Sequence, residues 1–596
     1  MTVRLLFLWL LPFTVAAAGE PLLNYLYVVA AEGNASGGHV AVQFDDAVYH
    51  FQHVDGGFIR LYRDGVQDFE YRYRFLENRD LDALRLTVPS GVFARLRQRF
   101  ERRYQIQRLQ FSLAALLAQE EAWLSAIAAG RPVSLELPAA GLFFDKLSAA
   151  DEPTAAREAV LARLAARLGT AFLEARLRAV DAALAHLRPV TWVPARFVSD
   201  DPARVPAAPY AFSERYQDLL VLRLALQALR QARPLRPGVL QTPGGAAFRL
   251  TPEGRSALCA FRGVLERSIA RLVQEAHADT GAALAILLAR LIAVSRSCHS
   301  GRLAFLDRFG FAASAIPAHR ISTDPAFWRP LVARAAARLR ADLQALARRH
   351  DSGVRYAELE ASANRYLELV RGLAGGRPLR LFGVEPLPDR PLRGRRVVIL
   401  PTPLAEEALA PVRQARQRWQ ASLRRLYRYD LLQRNCVTEA LHALGVPARF
   451  ASGDFIPFRS VAAVARRYPV GQRRHLLSYR HARLRQRYRQ APAWRVYLRE
   501  FNTLTSTLYR PNGEDSVFVF FTDDVVWPRP LYGSVNAGVG LVLTAAGLAT
   551  LPFDRGELLQ RSARGLFSSL AELVFCNVRK GSYLYLPPAP ARLVSP

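Results

Sequence analysis

Gly37-Gly38-His39-Val40-Ala41-Val42-Gln43-Phe44-Asp45-Asp46-Ala47-Val48-Tyr49-His50-Phe51-Gln52-His53 is the stretch that decides the fold. Two runs rich in β-branched and aromatic residues flank Asp45-Asp46, which suits a two-residue hairpin turn. With the turn centred there, His39 faces Gln52 and His50 sits diagonally on the same face. His53 points to the other side, because strand side chains alternate. One face therefore offers a histidine as base with a second polar group, His50 or Gln52, to orient it. Histidines on a strand also serve as plain polar-face residues, so the hairpin alone does not assign chemistry.

A base needs a nucleophile, and one segment supplies it: Leu431-Leu432-Gln433-Arg434-Asn435-Cys436-Val437-Thr438-Glu439-Ala440-Leu441-His442-Ala443-Leu444-Gly445-Val446-Pro447. Asn435 is a good helix N-cap, and Gly445 with Pro447 marks the stop. Cys436 then occupies the first helical turn, where exposed N–H groups and the helix dipole are expected to stabilise a thiolate and lower its pKa. Its own N–H is also a candidate oxyanion donor. The plain alternative is a buried structural cysteine.

Taken together, His39-x-Ala-Val-x-Phe-Asp-Asp-x-Val-x-His50 and the distant Asn435-Cys436 resemble the circularly permuted papain-like superfamily, which includes the lecithin:retinol acyltransferase-like proteins. More closely, the chain is similar to the envelope-protein family of the Lnb N-terminal periplasmic domain, a lipoprotein transacylase family. Glu77-Asn78-Arg79-Asp80, Tyr429-Asp430-Leu431-Leu432 and Asn577-Val578-Arg579-Lys580-Gly581-Ser582 add to the likeness. The resemblance implies Cys436 as nucleophile, His39 as base and His50 as the polar third member. It also implies an α+β fold, a permuted papain-like core interrupted by a large helical insertion and followed by a β-containing carboxy-terminal domain. The chain departs from the transacylase in lacking its multi-span membrane region.

Outward from these segments, Leu23 to about Val88 reads as strands. Apolar residues then recur at helical spacing over roughly 92–128, 153–187, 211–233, 254–276, 281–296, 326–349 and 355–373. Arg395 to Leu400 reads as a strand and Pro403 to Tyr427 as a helix. Val517 to Phe521 and Tyr583 to Leu586 suggest further strands. The uncharged run Pro530 to Phe553 reads as glycine-rich strands, with a membrane span as the alternative. The expected organisation is a signal peptide over 1–18, the histidine-hairpin part of the core over 19–91, a helical insertion over 92–380, the cysteine-helix part over 381–450 and a β-containing domain over 451–596.

Composition narrows the function classes. The chain has 596 residues, 51% of them apolar, enough to bury sizeable cores. Its net charge of +30 comes from 81 Lys+Arg against 51 Asp+Glu, and only Lys146 and Lys580 are lysines. Such a charge suggests nucleic acid, an anionic membrane surface or an acidic polymer. The amino terminus decides between them: Arg4, the apolar run Leu5 to Phe13 and the small residues Ala16-Ala17-Ala18-Gly19 form the pattern of a secretory signal peptide. Export to the periplasm, with possible membrane association, makes nucleic acid an unexpected partner and anionic lipid a natural one. Cys259 and Cys298 flank the turn at His277 to Gly281 on two adjacent helices, so a disulfide between them is plausible. No CxxC pair and no HExxH occurs, so neither a metal nor another cofactor is expected.

Two functions follow as expectations. The first is an exported thiol hydrolase or acyltransferase that acts through a thioester on an ester or amide bond of an envelope lipid, lipoprotein or peptide. The second is a non-catalytic envelope factor that uses the papain-like core as scaffold and the basic helices for binding.

Overall fold

The computed structural model describes residues 21–29, 38–143, 155–190, 210–381, 388–492 and 529–574, short breaks within the longer runs aside. The chain forms two compact units. One is built from the chain up to Tyr104 and resumes at Tyr429; the other occupies Gln105–Arg428. The signal-peptide residues, Cys576, and the strands expected at 517–521 and 583–586 lie outside the described residues.

The first unit is organised by an antiparallel sheet. Its strands are β1 (Leu23–Val28), β2 (His39–Phe44), β3 (Ala47–Val54), β4 (Phe58–Gly65) and β5 (Leu81–Leu86), joined by a sixth strand, Val470–Leu476. The spatial order is sixth strand, β5, β1, β2, β3, β4. Alternation sorts the side chains onto two faces. Val40, Val42 and Phe44 pack with Tyr25, Tyr49 and Phe51 under a helix at Cys436–Leu444. Leu26, Val28, Ala41, Val48, Leu81 and Ala83 lie on the opposite face, against Phe69 and Tyr73 of the helical segment that follows β4. A six-stranded sheet covered on both faces buries its apolar rows without needing a long apolar helix.

The second unit is helical, as the period of its apolar residues requires. Its helices include Phe212–Arg230, Pro252–Glu275, Gly281–Ser300, Pro325–Arg348 and Gly353–Ala374. Cys259 and Cys298 form a disulfide that ties two of them together. Arg290 and Glu360, both buried, pair at 2.6 Å, so each charge has a counter-ion in the core. A 39-residue helix, Ser90–Ala128, contributes Phe93, Leu96 and Phe100 to the core beneath the sheet.

The α+β class expected from the sequence is the class observed. Three elements differ. The strand expected over Arg395 to Leu400 is observed at Leu392–Arg396, and the stretch from Leu23 to Val88 holds helical turns at Val66–Glu70 and Tyr71–Leu76 among its strands. Residues of the run Pro530 to Phe553 form a helix, Arg529–Asp554, and not strands. The reason lies in the spacing of Gly533, Gly540 and Gly547, which recur every seven residues and so share one helix face. A Cβ at Gly547 would stand 2.6 Å from the Leu559 nitrogen, so glycine is what admits the neighbouring helix Glu557–Val574 so closely. Two described helices are long and apolar enough to cross a membrane. Ala278–Ser300 is mostly buried in its own unit, whereas only 17% of Gly533–Asp554 is covered.

Candidate active site

The hairpin forms in the register read from the sequence. Asp45-Asp46 makes the turn, and Phe44 pairs with Ala47, Gln43 with Val48, Val42 with Tyr49 and Ala41 with His50. Asp45 adopts a left-handed backbone with φ 51°, which aspartate tolerates. His39 and His50 are brought together: His39 Nε2 lies 3.1 Å from His50 Nδ1. Gln52, the other candidate orienting group, donates from Nε2 to His50 Nδ1 at 3.3 Å and to the Tyr73 hydroxyl at 3.1 Å.

Behind His50 stands a residue that the motif did not reveal. Asp64, on β4, places Oδ2 3.1 Å from His50 Nε2. Burial acts to raise its carboxyl, but the hydrogen bond from His50, with Arg72 nearby, outweighs that and holds it below the usual range. An ionised Asp64 takes the Nε2–H of His50, which leaves His50 Nδ1 as the acceptor. His39 then donates Nε2–H to it and keeps a free lone pair on Nδ1. The tautomers are assigned from this network, with the carboxylate as its anchor. Burial first, then the neighbouring His50 and Arg79, push the His39 pKa well below its ordinary value, so the ring is neutral at neutral pH. A neutral imidazole with a free nitrogen is the form a general base requires.

Cys436 is held by its neighbour. Asn435 caps the helix: its Oδ1 accepts from the Val437 and Thr438 N–H groups at 2.8 and 3.0 Å, and Thr438 Oγ1 accepts the Asn435 N–H at 2.9 Å. The Asn435 amide nitrogen donates to the carbonyls of Leu431 and Phe455 at 2.7 and 3.0 Å. Gly445 closes the other end in a left-handed conformation, as expected. Upstream, the Tyr429 N–H reaches the Gly57 carbonyl at 2.8 Å, and its ring lies 4.7 Å from that of His53.

The thiol meets the hairpin at the first residues of β2. Asp45 N–H donates to Leu22 on the β1 side, so by alternation the N–H groups of Phe44, Val42 and Val40 face β3. The β2–β3 ladder ends at Ala41–His50, although β3 continues to Val54. The backbone of Val40, with that of Cys436 and Val437, acts to lower the Cys436 thiol pKa. His39 and His50 lie on the face of the sheet that carries Ala41 and Val48, opposite the face that packs under the cysteine helix. Among the described residues, the side-chain hydrogen bond of His39 goes to His50 and none joins it to the thiol.

The thiol itself corrects an expectation. Three N–H groups and the Arg79 guanidinium favour a thiolate, yet burial outweighs them and pushes the pKa from 9.0 up to about 11. Cys436 keeps part of its surface exposed as a residue, while its thiol is buried. Arg79 faces both halves of the site, acting on His39 and on Cys436. It is fixed by hydrogen bonds from Nε to the Val29 carbonyl at 2.8 Å and from Nη1 to Glu77 at 3.2 Å. Tyr25 and Tyr429 both feel the Cys436 charge, and burial first raises both phenols, that of Tyr429 up to about 12. Tyr25 donates to Ser460 Oγ at 2.6 Å, while Ser460 donates to the Pro457 carbonyl at 2.5 Å.

Around the N-cap three large apolar side chains are exposed among polar ones such as Asp430 and Gln433. Leu431 and Leu432 are 44% and 45% exposed, and Phe450 is 61% exposed. Phe450 stacks on Phe455, whose carbonyl holds Asn435. Asp64 was not legible because it sits beyond the hairpin, on a third strand; Arg79 lay within a quoted motif but carried no role. Compared with protein-family models, curated proteins and solved structures, the chain matches none.

Proposed function

We propose that this chain is a thiol hydrolase or acyltransferase in which Cys436 is the nucleophile and His39 the general base. The observation that carries the reading is the buried line Asp64–His50–His39, whose last member shares the influence of Arg79 with the Cys436 thiol. The thiol proton passes to His39 Nδ1 as Sγ bonds to the carbonyl carbon. Because the thiol is protonated and the imidazole neutral at rest, proton transfer accompanies attack and no ion pair precedes it. The N–H groups near the sulfur receive the developing oxyanion. Collapse expels the alcohol or amine with the proton from His39 and leaves a thioester. Water or an acceptor amine then resolves it.

The apolar rim at Leu431, Leu432 and Phe450 supports an acyl chain as the group transferred, and thus an envelope lipid or lipoprotein as substrate. The exposed apolar helix Gly533–Asp554 and the positive charge support a location at an anionic membrane of the periplasm. The test uses phospholipid vesicles and a chromogenic acyl ester. Wild type is expected to release the acyl chain and accumulate a hydroxylamine-sensitive thioester on Cys436; Cys436→Ala and His39→Ala lose both. Turnover that survives in Cys436→Ala overturns the thiol mechanism.

One observation favours the second reading, a non-catalytic envelope factor: the His39 hydrogen bond is spent on His50 and none reaches the thiol. On that reading Cys436→Ala leaves the cellular role intact, while Arg-to-Glu changes on the helical unit damage it.

A further inference from the structure

Away from the thiol, three ligating side chains converge from three elements. Asp80 precedes β5, His475 lies on the sixth strand, and His481 is in the first turn of the helix Tyr479–Gln490. Asp80 Oδ2 is 3.2 Å from His475 Nε2 and 2.6 Å from His481 Nδ1. These three atoms all lie within 4.8 Å of one another. We propose that Asp80, His475 and His481 form a zinc site, with Asp80 Oδ2, His475 Nε2 and His481 Nδ1 as the three protein ligands.

The chemistry of the set favours zinc. Two imidazoles and one carboxylate suit a borderline divalent ion, and hard cations such as Mg²⁺ prefer oxygen alone. Ligand atoms at ~2.0–2.2 Å from a tetrahedral Zn²⁺ stand about 3.3 Å apart. The Asp80–His475 separation of 3.2 Å already fits, and the 2.6 Å separation to His481 has to open by about 0.7 Å. Three protein ligands leave the fourth position to water, and His475 and His481 are 46% and 37% exposed, which gives the ion a way in.

The neighbours of the ligands are arranged as a metal site needs. His475 turns its other ring nitrogen, Nδ1, to Asp82 Oδ1 at 2.5 Å. A carboxylate on the far nitrogen of a ligand histidine fixes the tautomer and raises the basicity of the ligating atom. Asp80 Oδ1 accepts the Ser478 N–H at 2.6 Å, which leaves Oδ2 facing both rings. The corner between the two histidines is fixed as well: Arg74 Nε donates to the Leu477 carbonyl at 3.0 Å, and the His481 N–H donates to Ser478 Oγ at 3.2 Å. Asp82 and His475 are direct partners across β5 and the sixth strand, so strand pairing itself sets the outer carboxylate. Bound zinc would cross-link the edge strand and the following helix to the segment that carries Arg79.

The test is zinc binding by the purified full-length chain, read by equilibrium dialysis with elemental analysis, and by cobalt substitution. One Zn²⁺ per chain is expected, and Co²⁺ should give the intense visible absorption of a tetrahedral site. His475→Ala and His481→Ala should abolish both signals. Asp82→Asn, which touches no ligand atom of the ion, should keep the stoichiometry while weakening affinity ~10–100-fold. That variant, checked by circular dichroism, separates loss of the site from loss of the fold. Wild type that takes up no zinc at micromolar free ion would mean an ion-pair network only and overturns the proposal. Undiminished binding in the His475→Ala, His481→Ala double variant overturns it equally.

Discussion

The thiol of Cys436 gives the most direct measure of the site's electrostatics. The perturbation is pH, and the readout is alkylation by iodoacetamide, because only the thiolate reacts. With its pKa pushed from 9.0 up to about 11, the thiolate fraction at pH 8 is about 0.1%, against about 9% for a thiol of pKa 9.0. Alkylation at pH 8 is therefore expected to run ~90-fold slower than for an exposed cysteine of the ordinary pKa. The rate should climb roughly tenfold per pH unit up to about pH 10, with the proton lost from the thiol as the pH rises. Cys259 and Cys298 are joined and do not compete. The assay follows the Cys436 peptide by mass spectrometry in a Cys576→Ser background, across a pH series in which circular dichroism reports an intact fold. A rate that is already flat between pH 7 and 8.5 would mean a preformed thiolate. It would refute the conclusion that burial outweighs the helix terminus and the three N–H groups.

Other predictions rest on single contacts. Asp64→Asn removes the carboxylate that sets the His50 tautomer, and turnover should fall ~10²–10⁴-fold with little change in KM, measured by steady-state acyl release; an unchanged kcat would remove Asp64 from the relay. His53→Ala, on the cysteine-helix side of the hairpin, should leave turnover close to wild type where His39→Ala abolishes it; the reverse outcome would reassign the base. Asn435→Ala strips the cap from the cysteine helix and should cost ~1–2 kcal/mol in urea unfolding, while Asn435→Asp keeps the cap and most of that stability. Cys298→Ser opens a cross-link between residues 39 apart and should lower stability by ~2–4 kcal/mol against the oxidised wild type in the same assay, while matching the reduced wild type. Gly547→Ala puts a methyl group against Leu559 and should cost ~1–3 kcal/mol in the melting of the Arg529–Asp554 and Glu557–Val574 helix pair.

The amino-acid sequence by itself determined whatever depends on near neighbours along the chain. Asp45-Asp46 between two apolar runs set the hairpin register, and Asn435 with Gly445 set both ends of the cysteine helix, because turn and cap chemistry act within a few residues. The helices of the second unit followed from apolar spacing for the same reason. Where a local pattern had two solutions it misled: a glycine-rich apolar run suits strands, and only the partner helix seated on Gly540 and Gly547 makes it a helix. Tertiary structure alone decided the rest. Asp64 joins His50 from another strand, and Asp80 meets His475 and His481 across about 400 residues. It also decided the sign of the thiol shift, since desolvation sums over every atom around a group, and no stretch of sequence lists those atoms.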